Sequence, residues 1–109
     1  MNLKEVEINI KKELRASMNG ILSARMREAG MPFKLIFGVE LPRLQNIACE
    51  FPIDTELANH LWQQNIRETR LLAIMLMPAE SFTGETAASW ADTMTTAEEA
   101  QILAMILLP

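Results

Sequence analysis

The 109-residue sequence has no tyrosine, a single cysteine (Cys49) and no basic residue after Arg70. One cysteine excludes an internal disulfide framework and any zinc site built from several cysteines. The longest uncharged apolar runs, residues 71–78 and 102–109, are far shorter than the ~20 residues that a membrane-spanning helix needs. The first residues also lack the apolar stretch of a signal peptide. We therefore expect a single soluble, cytoplasmic domain over residues 1–109, without a membrane partner, a metal or a cofactor.

Charge is unevenly distributed along the chain. All ten Lys and Arg residues lie within residues 1–70, where nine Asp and Glu residues leave a net charge of +1, whereas residues 71–109 carry five acidic residues. Proteins that bind nucleic acid gain most of their affinity by neutralising phosphates. Any contact with DNA or RNA must therefore come from the first 70 residues, and the acidic remainder of the chain opposes it.

The sequence predicts helices and no strands. Strand-forming residues are scarce, with two valines and no sustained alternation of apolar and polar residues, while helix-favouring Leu, Ala, Met, Glu and Gln dominate. The predicted helices span residues 3 to about 18, 21–29, 40 to about 50, 55 to about 64, 67–77, 81 or 83 to about 93, and 95 or 96 onward. Asp54 is the predicted N-cap of the fourth helix, and Thr95 or Thr96, each with a glutamate three residues later, predicts a capping box for the last one. Helix pairs recur about every 35–40 residues, the period of helical repeat arrays. Periodicity alone leaves an α-solenoid and an irregular bundle equally open.

From Phe37 to Trp90 the sequence resembles the AlkD-type DNA alkylation repair family. The resembling segments are, in order, Phe37-Gly38-Val39-Glu40-Leu41-Pro42-Arg43-Leu44, Ile47-Ala48, Glu56-Leu57-Ala58-Asn59-His60-Leu61-Trp62, Ile66-Arg67-Glu68-Thr69-Arg70-Leu71-Leu72-Ala73 and Trp90. The resemblance implies an all-α fold of six or seven helices in HEAT-like repeats, an α-solenoid. It also implies a DNA glycosylase that removes positively charged alkylated purines from DNA held in a concave, basic groove.

At the catalytic positions that the resemblance implies, this sequence has residues that cannot perform the family's chemistry. Members of the family place a catalytic carboxylate one helical turn after an aromatic residue, so that both lie on one helix face. The carboxylate supports the cationic sugar and the aromatic ring cradles the lesion. Aligned on Glu98 and on the apolar run 103–108, these positions are Ala97 and Gln101. We expect no catalytic residue here, and the family's remaining catalytic arginine and tryptophan would lie beyond Pro109.

Four basic residues are candidates for DNA contact: Lys34, Arg43, Arg67 and Arg70. Arg67 and Arg70 have a second interpretation, because with Glu68 they can form ion pairs within or between helices. Double-stranded DNA is therefore expected only as a weakly bound partner. Scattered basic residues elsewhere in the first 70 could add to such a surface: Lys4, Lys11, Lys12, Arg25 and Arg27.

Other residues that could form a metal or catalytic site give weaker evidence of function. Glu56 and His60 are one helical turn apart and could supply two metal ligands, but a surface pair on an ordinary helix is the more common arrangement. Cys49 lies next to Ala48 on an apolar face and is interpreted as a small buried filler. Met75, Met77 and Met105 fall in apolar helices and are interpreted as core, as is Trp62.

The last helix is apolar on every side, with no charge after Glu99. One face can pack on the preceding helix while another is left for a partner. We expect a homo-oligomer through this C-terminal helix, in its commonest form a two-fold homodimer. The sequence as a whole favours a non-catalytic relative of the glycosylases that binds nucleic acid or protein. The alternative is a glycosylase for alkylated purines, acting as an oligomer that rebuilds the missing half of the groove.

Overall fold

Seven α-helices and one short 3₁₀ helix form the regular structure of residues 2–107, which the computed structural model describes. They are α1 (Leu3–Ala16), α2 (Gly20–Glu28), α3 (Leu41–Ala48), α4 (Thr55–Trp62), α5 (Arg67–Leu76), α6 (Gly84–Thr93) and α7 (Ala97–Ile106), with the 3₁₀ helix at Ala79–Ser81. Within these residues the only β-type pairing is one isolated bridge between Leu35 and Ile66. The predicted all-α class is confirmed. The end of the predicted apolar run, Leu108 and Pro109, lies outside the described residues.

Side-chain caps set most helix starts. Asn2 and Asn19 accept hydrogen bonds from the first free N–H groups of α1 and α2. The predicted Asp54 cap is present, with its carboxylate accepting from Leu57 N at 2.9 Å. The predicted capping box is also present, between Thr96 and Glu99. Because these caps satisfy backbone donors that have no partner within the helix, they fix where each helix begins.

Helix α5 is the centre of the array. It packs against α3, α4 and α7, while α1 packs against α4, and nine of its ten residues are buried. A helix that is buried on all sides must be surrounded by other helices. The chain therefore folds as a helical repeat array in which the N-terminal and C-terminal helices are layered around α5.

Two stacked indole rings join α4 to α6. The rings of Trp62 and Trp90 are parallel within 2° with centroids 4.4 Å apart, and each indole N–H has a partner, Thr93 for Trp62 and Asn59 for Trp90. Phe82 meets Trp90 edge-on at 5.3 Å. Offset and edge-on aromatic pairs contribute roughly 0.5–1.5 kcal/mol beyond their buried area. The prediction that Trp62 belongs to the core is confirmed.

Two predicted core residues are not in the core. Cys49 is exposed, because at about 100° per residue it lies roughly 140° around α3 from Leu44 and so falls outside the buried stripe of Leu44 and Ile47. Met105 is 75% exposed, since it lies on the side of α7 away from α5. Met77 is buried and Met75 is half-buried against the core, so the interpretation of those two is confirmed.

Gly38 lies where two backbone segments touch. Its φ is +79°, and a Cβ added there would overlap the carbonyl oxygen of Asn19 and lie 2.8 Å from the nitrogen of Ser23. The left-handed φ disfavours other residues, and the start of α2 leaves no room for a side chain. This close approach fixes the position of α2 against the segment before α3.

We expect Gly38→Ala to lower the free energy of unfolding by at least about 2 kcal/mol, because strain and overlap add. Gly84→Ala is the matched control: Gly84 begins α6 and an added Cβ meets nothing within 4 Å, so that variant should match or slightly exceed the wild type. Urea denaturation of the two variants measures the difference. Equal stabilities would contradict the close approach.

Candidate nucleic-acid interface

A buried carboxylate holds the segment between α2 and α3. Glu68 on α5 accepts hydrogen bonds from the backbone N–H groups of Phe37, Gly38 and Val39 at 2.9, 3.1 and 3.3 Å. Glu68 has no exposed surface, and a buried carboxylate is tolerated only when it is paired and hydrogen-bonded. The Phe37–Val39 segment is therefore bound tightly to α5.

Arg67 connects this segment to α7. Its guanidinium donates to the carbonyl oxygen of Val39 and to the carboxylate of Glu68, both at 2.7 Å. It also forms a bidentate salt bridge with Glu98, with N–O distances of 2.8 and 2.9 Å. Burial by itself lowers the pKa of Arg67, but the hydrogen bonds and charge of Glu98, and then of Glu68, raise that pKa above its ordinary value. The guanidinium is therefore a permanent buried cation shared by two carboxylates.

Arg70 forms the second internal ion pair. It donates to Glu99 at 3.2 Å and to the carbonyl oxygens of Trp62 and Thr93 at 3.1 and 2.5 Å. Its guanidinium carbon also lies 4.8 Å from the ring centroid of Trp62. Glu99 is itself buried and holds Thr95 and Thr96 at the start of α7. The two arginines together fix α7 to α5.

The four candidate residues for DNA contact fall into two groups. Arg67 and Arg70 are 2% and 8% exposed. The sequence left DNA contact and ion pairing open for these two arginines, and the structure shows ion pairs between helices. Lys34 is exposed in the segment before α3. Arg43 is exposed at the start of α3, where its guanidinium donates to Ser17 Oγ at 2.8 Å and pairs with Glu13 at 3.3 Å. Of these four candidates, only Lys34 and Arg43 present charge to solvent.

The two positions aligned with the family's catalytic pair lie at the start of α7. Ala97 and Gln101 are both exposed, and Ala97 lines a cleft of about 300 Å³ formed by residues 29–31 and 95–98. The carboxylate in this cleft belongs to Glu98, which is paired with Arg67. The cleft therefore offers neither an aromatic ring nor an unpaired carboxylate.

A polar contact that the sequence does not predict joins α1 to α4. His60 Nε2 and Gln64 Nε2 both lie 2.6 Å from the carboxylate of Glu7, and Lys11 lies 3.1 Å away. Partial burial raises the pKa of Glu7, but the hydrogen bonds from Lys11, Gln64 and His60 together bring it below its ordinary value. His60 therefore contacts Glu7, 53 residues earlier, and not the predicted neighbour Glu56. Among residues 2–107 no cluster of three or more metal-ligating side chains occurs.

The helices layered around a buried central helix define this chain as a helical-repeat protein. None of the described helices is long and apolar enough to span a bilayer. The family model for the DNA alkylation repair enzyme matches residues 10–107. The chain belongs to that family, which confirms the resemblance carried by Phe37 to Trp90. No curated protein and no solved structure matches the chain.

We expect Arg67→Ala to destabilise the fold by about 3–5 kcal/mol, because it leaves buried carboxylates without their counter-charge. Arg67→Met, which keeps most of the volume, should recover little of this loss if charge is the cause. Arg25→Ala on the exposed face of α2 is the control, with an expected change within about 0.5 kcal/mol. Urea denaturation at neutral pH measures all three, and a fully stable Arg67→Met would show that packing alone matters.

Proposed function

We propose that this chain is a non-catalytic member of the DNA alkylation repair enzyme family that binds nucleic acid or protein. The observation that carries the proposal is the pair Ala97 and Gln101 at the start of α7. Alanine has no π face to stack on a base, and a neutral amide supplies no negative charge to a cationic sugar. That the chain is one cytoplasmic domain stays a prediction.

The neighbouring residues do not replace the absent pair. Glu98 and Glu99 form ion pairs with Arg67 and Arg70, so neither carboxylate is free to face a substrate. Trp90 is buried between Trp62 and Phe82, and its ring faces no solvent-filled space. A base could not reach this ring without unpacking α6 from α4.

The alternative function is a glycosylase that excises alkylated purines as an oligomer, and family membership favours it. Incubation of the protein with duplex DNA that carries 7-methylguanine separates the two. We expect no free base above the spontaneous rate, with a heated aliquot of the same DNA showing that release is detectable. Excision by the wild type would overturn the proposal of a non-catalytic chain.

Any DNA contact should be weak and dependent on Lys34 and Arg43. With two phosphate contacts, affinity should fall about tenfold between 50 and 200 mM salt, which removes measurable binding. Lys34→Glu with Arg43→Glu should abolish the binding seen at low salt. Lys4→Glu with Arg25→Glu makes the same change in net charge on exposed residues of α1 and α2 and should retain it. Fluorescence anisotropy measures both, and unchanged affinity in the first variant would remove this surface from consideration.

We also propose that the chain self-associates through α7. Met105 is exposed there while Ile102 and Leu103 face α5, so one side of the helix is left without a partner among the described residues. Light scattering at micromolar concentration should give twice the chain mass of 12.3 kDa or more. Met105→Glu should restore the monomer without unfolding it, whereas Glu at the buried Leu107 should unfold it. A wild-type mass of one chain would contradict self-association.

A further inference from the structure

Two acidic residues of α1 are held by neighbouring helices, which leaves cations on its outer side. Glu7 contacts His60 on α4 at 2.6 Å. Glu13 pairs with Arg43 on α3 at 3.3 Å. Because these two carboxylates are engaged within the fold, they do not offset the exposed cations of the same helix. The structure therefore separates charge around α1 in a way that its composition alone does not show.

The outer side of α1, called the basic face, has an apolar centre. It consists of four exposed residues within about 80° of arc at 100° per residue: Lys4, Ile8, Lys12 and Arg15. Ile8 is 60% exposed between the cations. None of the three cations forms a salt bridge with another described residue, and Glu5 at the edge of the face offsets one charge. An apolar centre with a polar rim is the usual arrangement of a protein interface.

The outer side of α6, called the acidic face, has the opposite sign and a small centre. Its four exposed residues lie within about 100° of arc: Glu85, Ala88, Ser89 and Asp92. Neither acid forms a salt bridge with another described residue. Trp90 lies about 150° around the helix from this face and stacks on Trp62 of α4. The acidic face is therefore the side of α6 that points away from the core.

The two faces match in charge, length and shape. Lys4 and Lys12 lie about 12 Å apart along α1, and Glu85 and Asp92 lie about 10.5 Å apart along α6, at 1.5 Å per residue. When the helices pack side by side in either direction, each of these cations meets an acid. Ile8 then meets the small residues at the centre of the acidic face. A contact of either face with its own copy would place like charges opposite each other, which disfavours it.

Both helices pack on α4, but on different sides of it. α1 contacts α4 at His60, whereas α6 contacts it at Asn59 and Trp62. At 100° per residue, His60 lies about 130° around α4 from the midpoint of the other two. The basic and acidic faces of one chain therefore point in different directions, and only another copy can bring them together.

We infer that the basic face of α1 in one copy binds the acidic face of α6 in a second copy. Because the contact joins two different faces that point in different directions, each added copy leaves one face of each kind open, and further copies can add. Exposed ion pairs are weak and are screened by salt, so the contact forms at low ionic strength and high protein concentration. It is separate from the proposed self-association through α7 and goes beyond it.

Light scattering of the Met105→Glu variant tests this contact without the proposed contact through α7. At an ionic strength of about 10 mM, where charges act over about 30 Å, the average mass should rise beyond two chains as protein concentration increases. At about 0.15 M, where this distance falls to about 8 Å, the mass should return to one chain.

Reversing the charge of one face at a time identifies the two surfaces. In the Met105→Glu background, Lys4→Glu with Lys12→Glu should give a monomer at low salt, and so should Glu85→Lys with Asp92→Lys. All four substitutions in one chain exchange the signs of the two faces and should restore the rise in mass. An equimolar mixture of the two reversed variants supplies the same opposite-charge pairs and should also associate.

A matched control separates this contact from an effect of net charge. Glu28→Lys with Glu50→Lys makes the same change in net charge as the reversed α6 variant, on exposed residues outside both faces. This control should associate at least as well as its parent. Circular dichroism checks that each variant is folded, and the mixture replaces the four-substitution chain if that chain unfolds.

Four results would overturn the inference. The first is a mass of one chain at every concentration in low salt. The second is a mass that levels off at two chains, because faces that point in different directions cannot close a dimer. The third is association that persists unchanged at 0.15 M salt, since charge attraction would then not be its cause. The fourth is failure of both the sign-exchanged chain and the mixture to associate.

Discussion

The buried guanidinium of Arg67 is the interaction on which the arrangement of helices depends. It binds two carboxylates and a backbone carbonyl from three separate parts of the chain. A buried cation is costly unless every donor is paired, so the fold is stable only when the Phe37–Val39 segment and α7 are both in place. No buried side-chain N or O atom among the described residues lacks a partner. The same arrangement of helices therefore buries the side chains of α5 and pairs the guanidinium of Arg67.

Local features were predictable from the sequence and long-range pairs were not. The caps at Asp54 and Thr96 and the apolar stripe of α4 follow from residues within one or two helical turns. The Arg67–Glu98 pair is separated by 31 residues, and nothing in local spacing links the two. The interpretation of Cys49 was wrong because a position next to an apolar residue does not place a side chain on the same helix face: one residue turns the helix by about 100°.

Two of the four residues that suggest DNA contact in the sequence, Arg67 and Arg70, hold the fold together. Arg67, Arg70, Glu98 and Glu99 are all paired with one another or with backbone groups, so none is available to a phosphate or a sugar. Replacing such a buried pair by a catalytic arrangement would require a new counter-charge for each remaining partner. Family membership is therefore expressed in the fold of this chain, to which these four residues contribute ion pairs and hydrogen bonds.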